Sequence, residues 1–360
     1  MNLVENSMNK KRLIWMLLLI CVVLSSMMLP SCGQQKSKFV THSLDYFDTA
    51  TTVTGYEADK EAFVRVSGEI LKQLSEYHRL YTIYHRYDGL ENLCTVNELE
   101  NGKHRVVTVD RRIVDMLLYA KEMHRITDGK TNVAMGSVLS VWHTYRAAGM
   151  DEPWEAALPP QEKLTEAAKH TNIENLIIDE AASTVFLADP EMTLDVGAIA
   201  KGYAVEMVAQ YLEEQGISGY VINVGGNVRT VGAKPDGQKW LAGIENPDTE
   251  SQEAYIAYLG IDGESVVTSG SYQRYYTVGD KNYHHIIDPE TLMPAEGFLS
   301  VSVVCKNSAE GDALSTALFC MTFEEGLALV ERLPNVEALW VMSDHSQRTS
   351  SGFSDYAVRP

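Results

Sequence analysis

The sequence predicts a mixed α+β fold in which antiparallel-rich sheets are covered by helices. Three observations carry that expectation. Beyond residue 170, strand-like apolar runs alternate densely with runs at helical spacing. Several neighbouring strands are joined by turns as short as Gly279-Asp280, too short for the crossover that a parallel pair needs. No repeat with a period of 20 to 50 residues breaks the pattern.

The composition is that of an ordinary globular chain. Of 360 residues, 45% are hydrophobic, with 25 Gly and 11 Pro, which excludes collagen-like, disordered and multi-span membrane classes. Thirty Lys and Arg stand against 49 Asp and Glu, a formal charge of -19. A partner made of nucleic acid is not expected, because a phosphate backbone is met by a surplus of cations. Any phosphate this chain handles is then met locally, by metal or backbone.

The first 31 residues read as an export signal. Lys10, Lys11 and Arg12 form a basic start, and Leu13 to Leu24 is an unbroken apolar run of twelve, short for a spanning helix. The run ends in Leu29-Pro30-Ser31-Cys32-Gly33, which resembles a bacterial lipobox, with Pro30 where a small residue is usual; Cys32 would become the lipidated first residue. The expectation is an exported lipoprotein, anchored to a membrane of the cell envelope. Losing residues 1–31 removes three basic residues and one acid, so the remaining chain carries -21. Residues 32–40 read as a polar tether, and 41–350 as the folded body.

In the body, Phe63, Val66, Ile70 and Leu74 recur at helical spacing between Ala58 and His78. Asp110 suits the cap of a second helix carrying Ile113, Met116, Leu117, Ala120 and Met123, with Gly129 as terminator. Pro153, Pro159 and Pro160 mark 147–170 as an exposed excursion and a possible division between halves. A hairpin, 176–179 with 184–187, leads to the strands 220–224, 240–245, 265–268, 272–278 and 299–305. Helices from about Ala309 and Phe323 and a last strand, 338–342, complete the order. Cys94, Cys305 and Cys320 form neither a disulfide framework nor a CxxC site, and the last two read as buried thiols. His78, His85, His104 and His124 lack metal-site spacing.

Four constellations carry chemistry. The run Leu194 to Ala204 places Asp195, Gly197, Ala198, Lys201 and Gly202 at a helix start, where free N–H groups and the helix dipole suit an anion; a helix start that only packs on a sheet reads the same way. The run Asn223-Val224-Gly225-Gly226-Asn227 ends a strand, and a plain tight turn accounts for it equally well. Thr268-Ser269-Gly270 with Arg274 precedes His284-His285 and Asp288, a spacing that can supply a base and orient it; surface or core histidines in a hairpin read the same way. Asp312 and Thr316, four apart on a helix, offer hard oxygens on one face, which suits Mg²⁺ completed by phosphates and water; standing alone, Asp312 reads rather as an N-cap or first-turn acid.

Taken in order, with Phe47-Asp48-Thr49 before them and Ile286-Ile287-Asp288-Pro289 and Ala313-Leu314-Ser315 within them, these segments resemble the ApbE family, the FAD:protein FMN transferases. Two segments depart from its pattern. Residues 131–139 stand where the family usually reads Phe-Asp-Pro/Ile-Thr before Gly-Pro-Leu, so no flavin contact is assigned there. Leu292 stands where a Gly is usual.

The resemblance implies an ApbE-like, T-fold-like architecture and Mg²⁺-dependent transfer of the FMN half of FAD to a Thr or Ser hydroxyl of a target protein, releasing AMP. It implies metal ligation by Asp312, Thr316 and a carbonyl near Ala198, a proton-accepting or aligning role for His285, and Asp288 beside it as orienting group. Asp195, Lys201, Ser269, Arg274 and the Gly225-Gly226 turn would contact FAD. The acceptors implied are membrane-linked redox subunits, such as those of sodium-pumping NADH:quinone reductases. A Mg²⁺-dependent FAD pyrophosphatase and a non-catalytic flavin-binding lipoprotein are the alternatives; an intact Asp312/Thr316 pair with His285 favours catalysis over storage.

Overall fold

The computed structural model describes residues 36–359. The export signal, Cys32 and the first residues of the tether lie outside that range. The chain opens with β1 (Ser37–Tyr46) and β2 (Thr49–Glu57), followed by α1 (Lys60–Tyr81), the short α2 (Leu93–Val96), β3 (Val107–Thr108) and α3 (Arg111–Ile126). Helices α4 (Gly136–Asp151) and α5 (Gln161–Ala167) precede the hairpin β4 (Leu176–Asp179) and β5 (Thr184–Leu187), then α6 (Ala200–Glu214). Seven strands follow: β6 (Tyr220–Val224), β7 (Asn227–Val231), β8 (Trp240–Glu245), β9 (Tyr255–Ile261), β10 (Ser265–Gly270), β11 (Tyr275–Val278) and β12 (Lys281–His284). The chain ends with β13 (Phe298–Cys305), α7 (Ser308–Phe319), α8 (Phe323–Val330), β14 (Glu337–Met342) and β15 (Gln347–Thr349).

Eight strands form the central sheet in the order β1-β2-β6-β7-β10-β13-β14-β15. The pairings from β2 to β15 are antiparallel, which bears out the α+β expectation. Strand alternation gives the sheet two apolar faces. Val53, Ile222, Val301, Val303 and Trp340 join α1, α3, α6 and α7 in the larger core. Val266, Val304, Leu339 and Val341 face the opposite way, onto Trp240, Ile244, Leu259 and Ile261 of the β8–β9 hairpin. The sheet is thus covered by helices on one side and by a two-stranded ribbon on the other.

A third, smaller cluster lies to one side of this sandwich. Met135, Val138 and Trp142 of the α4 segment pack on Leu164, Tyr276, Ile287 and Leu292. Trp142 Nε1 donates to the Leu292 carbonyl at 2.9 Å, and Tyr276 Oη to the Ala157 carbonyl at 3.1 Å. The Pro-bearing stretch 147–170 is therefore mostly helical, held to the β11–β12 hairpin by these contacts.

Several boundaries move for identifiable reasons. Strand β1 begins at Ser37, inside the expected tether, because Phe39 stacks on Phe63 of α1 with ring centroids 5.5 Å apart. The strand expected over 272–278 begins at Tyr275, since Ser271 N–H bonds the Leu299 carbonyl and the Arg274 side chain reaches Asp48. Asp59 and Asp110 cap α1 and α3 through the N–H groups of Ala62 and Arg112. The thiols of Cys94, Cys305 and Cys320 are free, and burial raises the pKa of Cys320 to about 12. Among the described residues no helix is long and apolar enough to cross a membrane.

Leu117 sits on the inner face of α3 with no exposed surface. Leu117→Ala is expected to lower the unfolding free energy by about 2–5 kcal/mol through lost burial and a residual cavity, seen as a lower urea midpoint at unchanged slope.

Candidate functional site

The site is built where two helix N-termini meet. Ile199, the cap residue of α6, makes no side-chain capping bond, so the first N–H groups of the helix need partners from elsewhere. Asp312 of α7 supplies one: its Oδ2 accepts from Gly202 N–H at 2.8 Å. In return, Glu206 of α6 accepts from Ser308 N–H, the first residue of α7, at 2.8 Å. Arg229 neutralises Glu206 in the buried interior, Nε to Oε2 at 3.1 Å. Position 202 admits only glycine here, because a Cβ would collide with the Ser308 carbonyl and the Asp312 Cβ.

Asp312 is 4% exposed and turns its other oxygen toward an inner cavity of about 230 Å³. Oδ1 lies 3.4 Å from Lys201 Nζ and 3.3 Å from Asn227 Nδ2. Thr316, one helical turn on, lines the same cavity, as does Ala198 in the turn before α6. The Ser269 hydroxyl is 2.9 Å from Ser315 Oγ and 3.4 Å from Thr316 Oγ1. Asn227 Oδ1 is buried with no hydrogen-bond partner, an orphaned acceptor next to the carboxylate. One carboxylate, a hydroxyl, a carbonyl-bearing turn and an unpaired amide oxygen form an all-oxygen donor set, which fits Mg²⁺ with substrate phosphates completing its shell. Lys201, donating also to the Gly197 carbonyl at 3.1 Å, balances the carboxylate.

His285 stands across the cavity from this corner. Its backbone N–H and its ring Nδ1 both face the Arg274 carbonyl, at 3.2 and 3.3 Å. A carbonyl only accepts, so Nδ1 carries the proton and Nε2 keeps its lone pair. Burial, and then the positive charge of Arg274, His284, Lys201 and Arg146, drives the pKa of His285 down to about 3. The neighbouring His284 is turned away: its Nε2 pairs with the Ala295 carbonyl at 2.8 Å and its ring packs on Phe319. Arg274 fixes the β1–β2 turn by donating from Nη2 to the Asp48 carbonyl at 3.0 Å. Phe47 and Asp48 both have φ near +50° in that turn, and Phe47 N–H donates to His78 Nδ1 at 3.1 Å.

Asp195, Ala198, Lys201, Gly225, Ser269, Arg274, His285, Asp312 and Thr316 all line the inner cavity. Two expected site residues take other places. Asp288 does not orient His285. Its carboxylate binds Lys130 at 3.1 Å and the Glu290 N–H at 3.1 Å, because the chain turns back at Leu292, whose N–H bonds the Asp288 carbonyl. Gly226 does not line the cavity, and Gly225 makes room for Thr49 rather than for a ligand, since a Cβ at 225 would strike the Thr49 side chain. Both glycines have positive φ, as a two-residue hairpin between β6 and β7 demands.

The largest omission is α4. Met135, Leu139, His143 and Arg146 line the inner cavity at spacings of four, four and three, one stripe of a helix that legibly starts within the segment departing from the family pattern. Lys130, Thr131 and Asn132 complete that wall. An outer groove of about 1060 Å³ adjoins the cavity and shares Tyr84, His143, Arg146, Asp195, Lys201 and Arg274 with it.

A sequence profile described as the ApbE family matches residues 47–340. An FAD:protein FMN transferase of Klebsiella pneumoniae is 35% identical over 283 residues, covering 76% of this chain and 84% of that protein. One from Treponema pallidum is 32% identical over 263 residues, with 69% and 70% covered. Among solved structures, the ApbE protein of Thermotoga maritima superposes with a TM-score of 0.77 at 25% identity, over 90% of this chain and 100% of that one. The flavin transferase ApbE from Vibrio cholerae gives 0.71 at 25% identity, over 89% and 99%.

Asp312→Ala leaves the Gly202 N–H and the Lys201 ammonium without their partner, and is expected to cost about 1–3 kcal/mol of stability. Asp312→Asn keeps an acceptor for Gly202 and should melt close to the parent protein, as thermal unfolding of the pair will show. His285 gives a second expectation. The unfolded histidine titrates near 6.5 and the folded one near 3, so between these values the unfolded state binds the extra proton. Its contribution to stability is constant above pH 6.5 and is lost as pH falls toward 3. His285→Gln should therefore flatten the acid side of the stability–pH curve over that interval, measured by urea unfolding.

Proposed function

The chain belongs to the ApbE family, and from that premise we propose that it transfers the FMN half of FAD to a Thr or Ser hydroxyl of a target protein, with release of AMP and dependence on Mg²⁺. It is an enzyme, an FAD:protein FMN transferase. The observation that carries the reading is the convergence, in one cavity, of an oxygen-donor corner at Asp312 and Thr316 with Lys201, Arg274 and a neutral histidine at 285.

Asp312, Thr316 and Ala198 would hold the Mg²⁺, which when bound supplies positive charge to the pyrophosphate and its leaving phosphate. Lys201 and Arg274 position the phosphate oxygens, and Ser269 can donate to them or to Thr316. The acceptor hydroxyl attacks the phosphorus of the FMN half, the bond from that phosphorus to the AMP oxygen breaks, and the hydroxyl proton passes to His285 Nε2. A pKa near 3 makes His285 a weak base in the free site. An anionic substrate offsets the charges of Arg274, Lys201 and Arg146 and raises it toward the working range. Positioning and charge compensation then supply most of the rate, as in phosphoryl transfer generally.

The basic start, the apolar run 13–24 and Cys32 support an exported, lipid-anchored protein, with a membrane-linked redox subunit as acceptor. On that reading Cys32→Ala should move the chain from the membrane to the soluble fraction while leaving its activity in place.

The activity test is incubation of the purified chain with FAD and Mg²⁺, with and without a Thr-containing acceptor domain, following acceptor mass and AMP. An FMN mass on the acceptor, lost on chelation and reduced by at least about 100-fold in His285→Ala, is expected. AMP with free FMN and an unlabelled acceptor would replace the transferase by a pyrophosphatase. Bound but unchanged FAD would leave a flavin-binding protein.

A further inference from the structure

We propose that Arg146 of α4 is a third cation of the pyrophosphate site, its guanidinium taking phosphate oxygens of FAD beside His285. The proposal rests on the flavin-transfer reading and adds to it a residue that neither the motifs nor the metal corner include.

Position comes first. Arg146 lines both the inner cavity and the outer groove. It ends the stripe Met135, Leu139, His143, Arg146, so the helix itself directs it to the junction of the two spaces. The second observation is that its charge is uncompensated. The other cations of the cavity have bonded partners: Lys130 binds Asp288 and Glu290, Lys201 binds Asp312, and Arg274 binds the Asp48 carbonyl. Among the described residues Arg146 forms no hydrogen bond and no ion pair, in a chain with a surplus of nineteen acids. Its surroundings are half-buried, with Tyr84 and Asp195 attracting at longer range and Arg274 repelling; burial, above all, holds its pKa below the usual value.

Two guanidiniums kept together without a bonded carboxylate are costly in an empty site, and a doubly charged ligand removes that cost. Arginine's fork of donors matches phosphate oxygens. The place of the ligand follows from the cavity, where Arg146, Arg274 and Lys201 line one space with His285. Charges that converge on the proton acceptor converge also on the phosphorus attacked next to it. A carboxylate of the acceptor protein is the competing oxyanion, and it would leave FAD binding untouched.

The test is equilibrium binding of FAD, ADP and riboflavin to the full chain in Mg²⁺, for the parent, Arg146→Gln and Arg146→Lys, after thermal melts establish that all three fold alike. Loss of about 10–100-fold in affinity for FAD and for ADP is expected in Arg146→Gln, riboflavin being unaffected because it has no phosphate, with partial recovery in Arg146→Lys. FAD and ADP affinities within twofold of the parent would overturn the assignment, and a raised KM for the acceptor beside them would move Arg146 to the acceptor. A parent protein that binds FAD no better than riboflavin would instead overturn the pyrophosphate reading on which the proposal stands.

Discussion

Helices α6 and α7 each supply a carboxylate to the N-terminus of the other. Asp312 accepts from Gly202 N–H, Glu206 accepts from Ser308 N–H, and the glycine lets the two backbones approach until these bonds are possible. Most of the site follows from that contact. It orients one Asp312 oxygen into a cavity that Lys130, Lys201, Arg146 and Arg274 also line, and sets Thr316 beside it. It also draws the turn 195–199, with Asp195 and Ala198, onto the cavity's edge. Arg229 serves the arrangement from behind by compensating Glu206, both side chains being about 5% exposed.

The charge distribution answers the difficulty raised by an acidic chain that handles a pyrophosphate. The acids dominate by count, but Lys130, Lys201, Arg274 and Arg146 all face one cavity. Burial first, and then the charges of Arg274, His284, Lys201 and Arg146, hold the pKa of His285 below its ordinary value and keep it neutral in the free protein. Two of the four cavity cations, Lys130 and Lys201, are held by acids, through Asp288 on one side and Asp312 on the other. Local charge therefore differs in sign from net charge, and only the local value bears on the ligand.

Much of this was legible in the sequence. Helices α1 and α3 were marked by apolar spacing, α3 also by its Asp110 cap, and the turn at Gly279-Asp280 by its residues, because these signals depend on neighbours in the chain. Nine of the residues that the motifs named line one cavity in the structure. What escaped depends on distant partners. Strands β1 and β2 are rich in Thr and polar residues, and are strands because Phe39 finds Phe63 and Val53 finds the sheet. Asp288 sits three residues from His285 in sequence, yet the chain reversal at Leu292 delivers it to Lys130. Helix α4 carries a readable stripe, 135, 139, 143 and 146, in a stretch that begins where the chain departs from the family pattern.

On the flavin-transfer reading, Asp312 joins a structural bond to a metal-binding one. That double role is tested most directly by the affinity for FAD with and without Mg²⁺, in the parent protein and in Asp312→Asn, where the bond to Gly202 is retained. Mg²⁺ is expected to tighten FAD binding to the parent and to do nothing for the variant. An equal response to Mg²⁺ in both would contradict it and return Asp312 to a purely structural role.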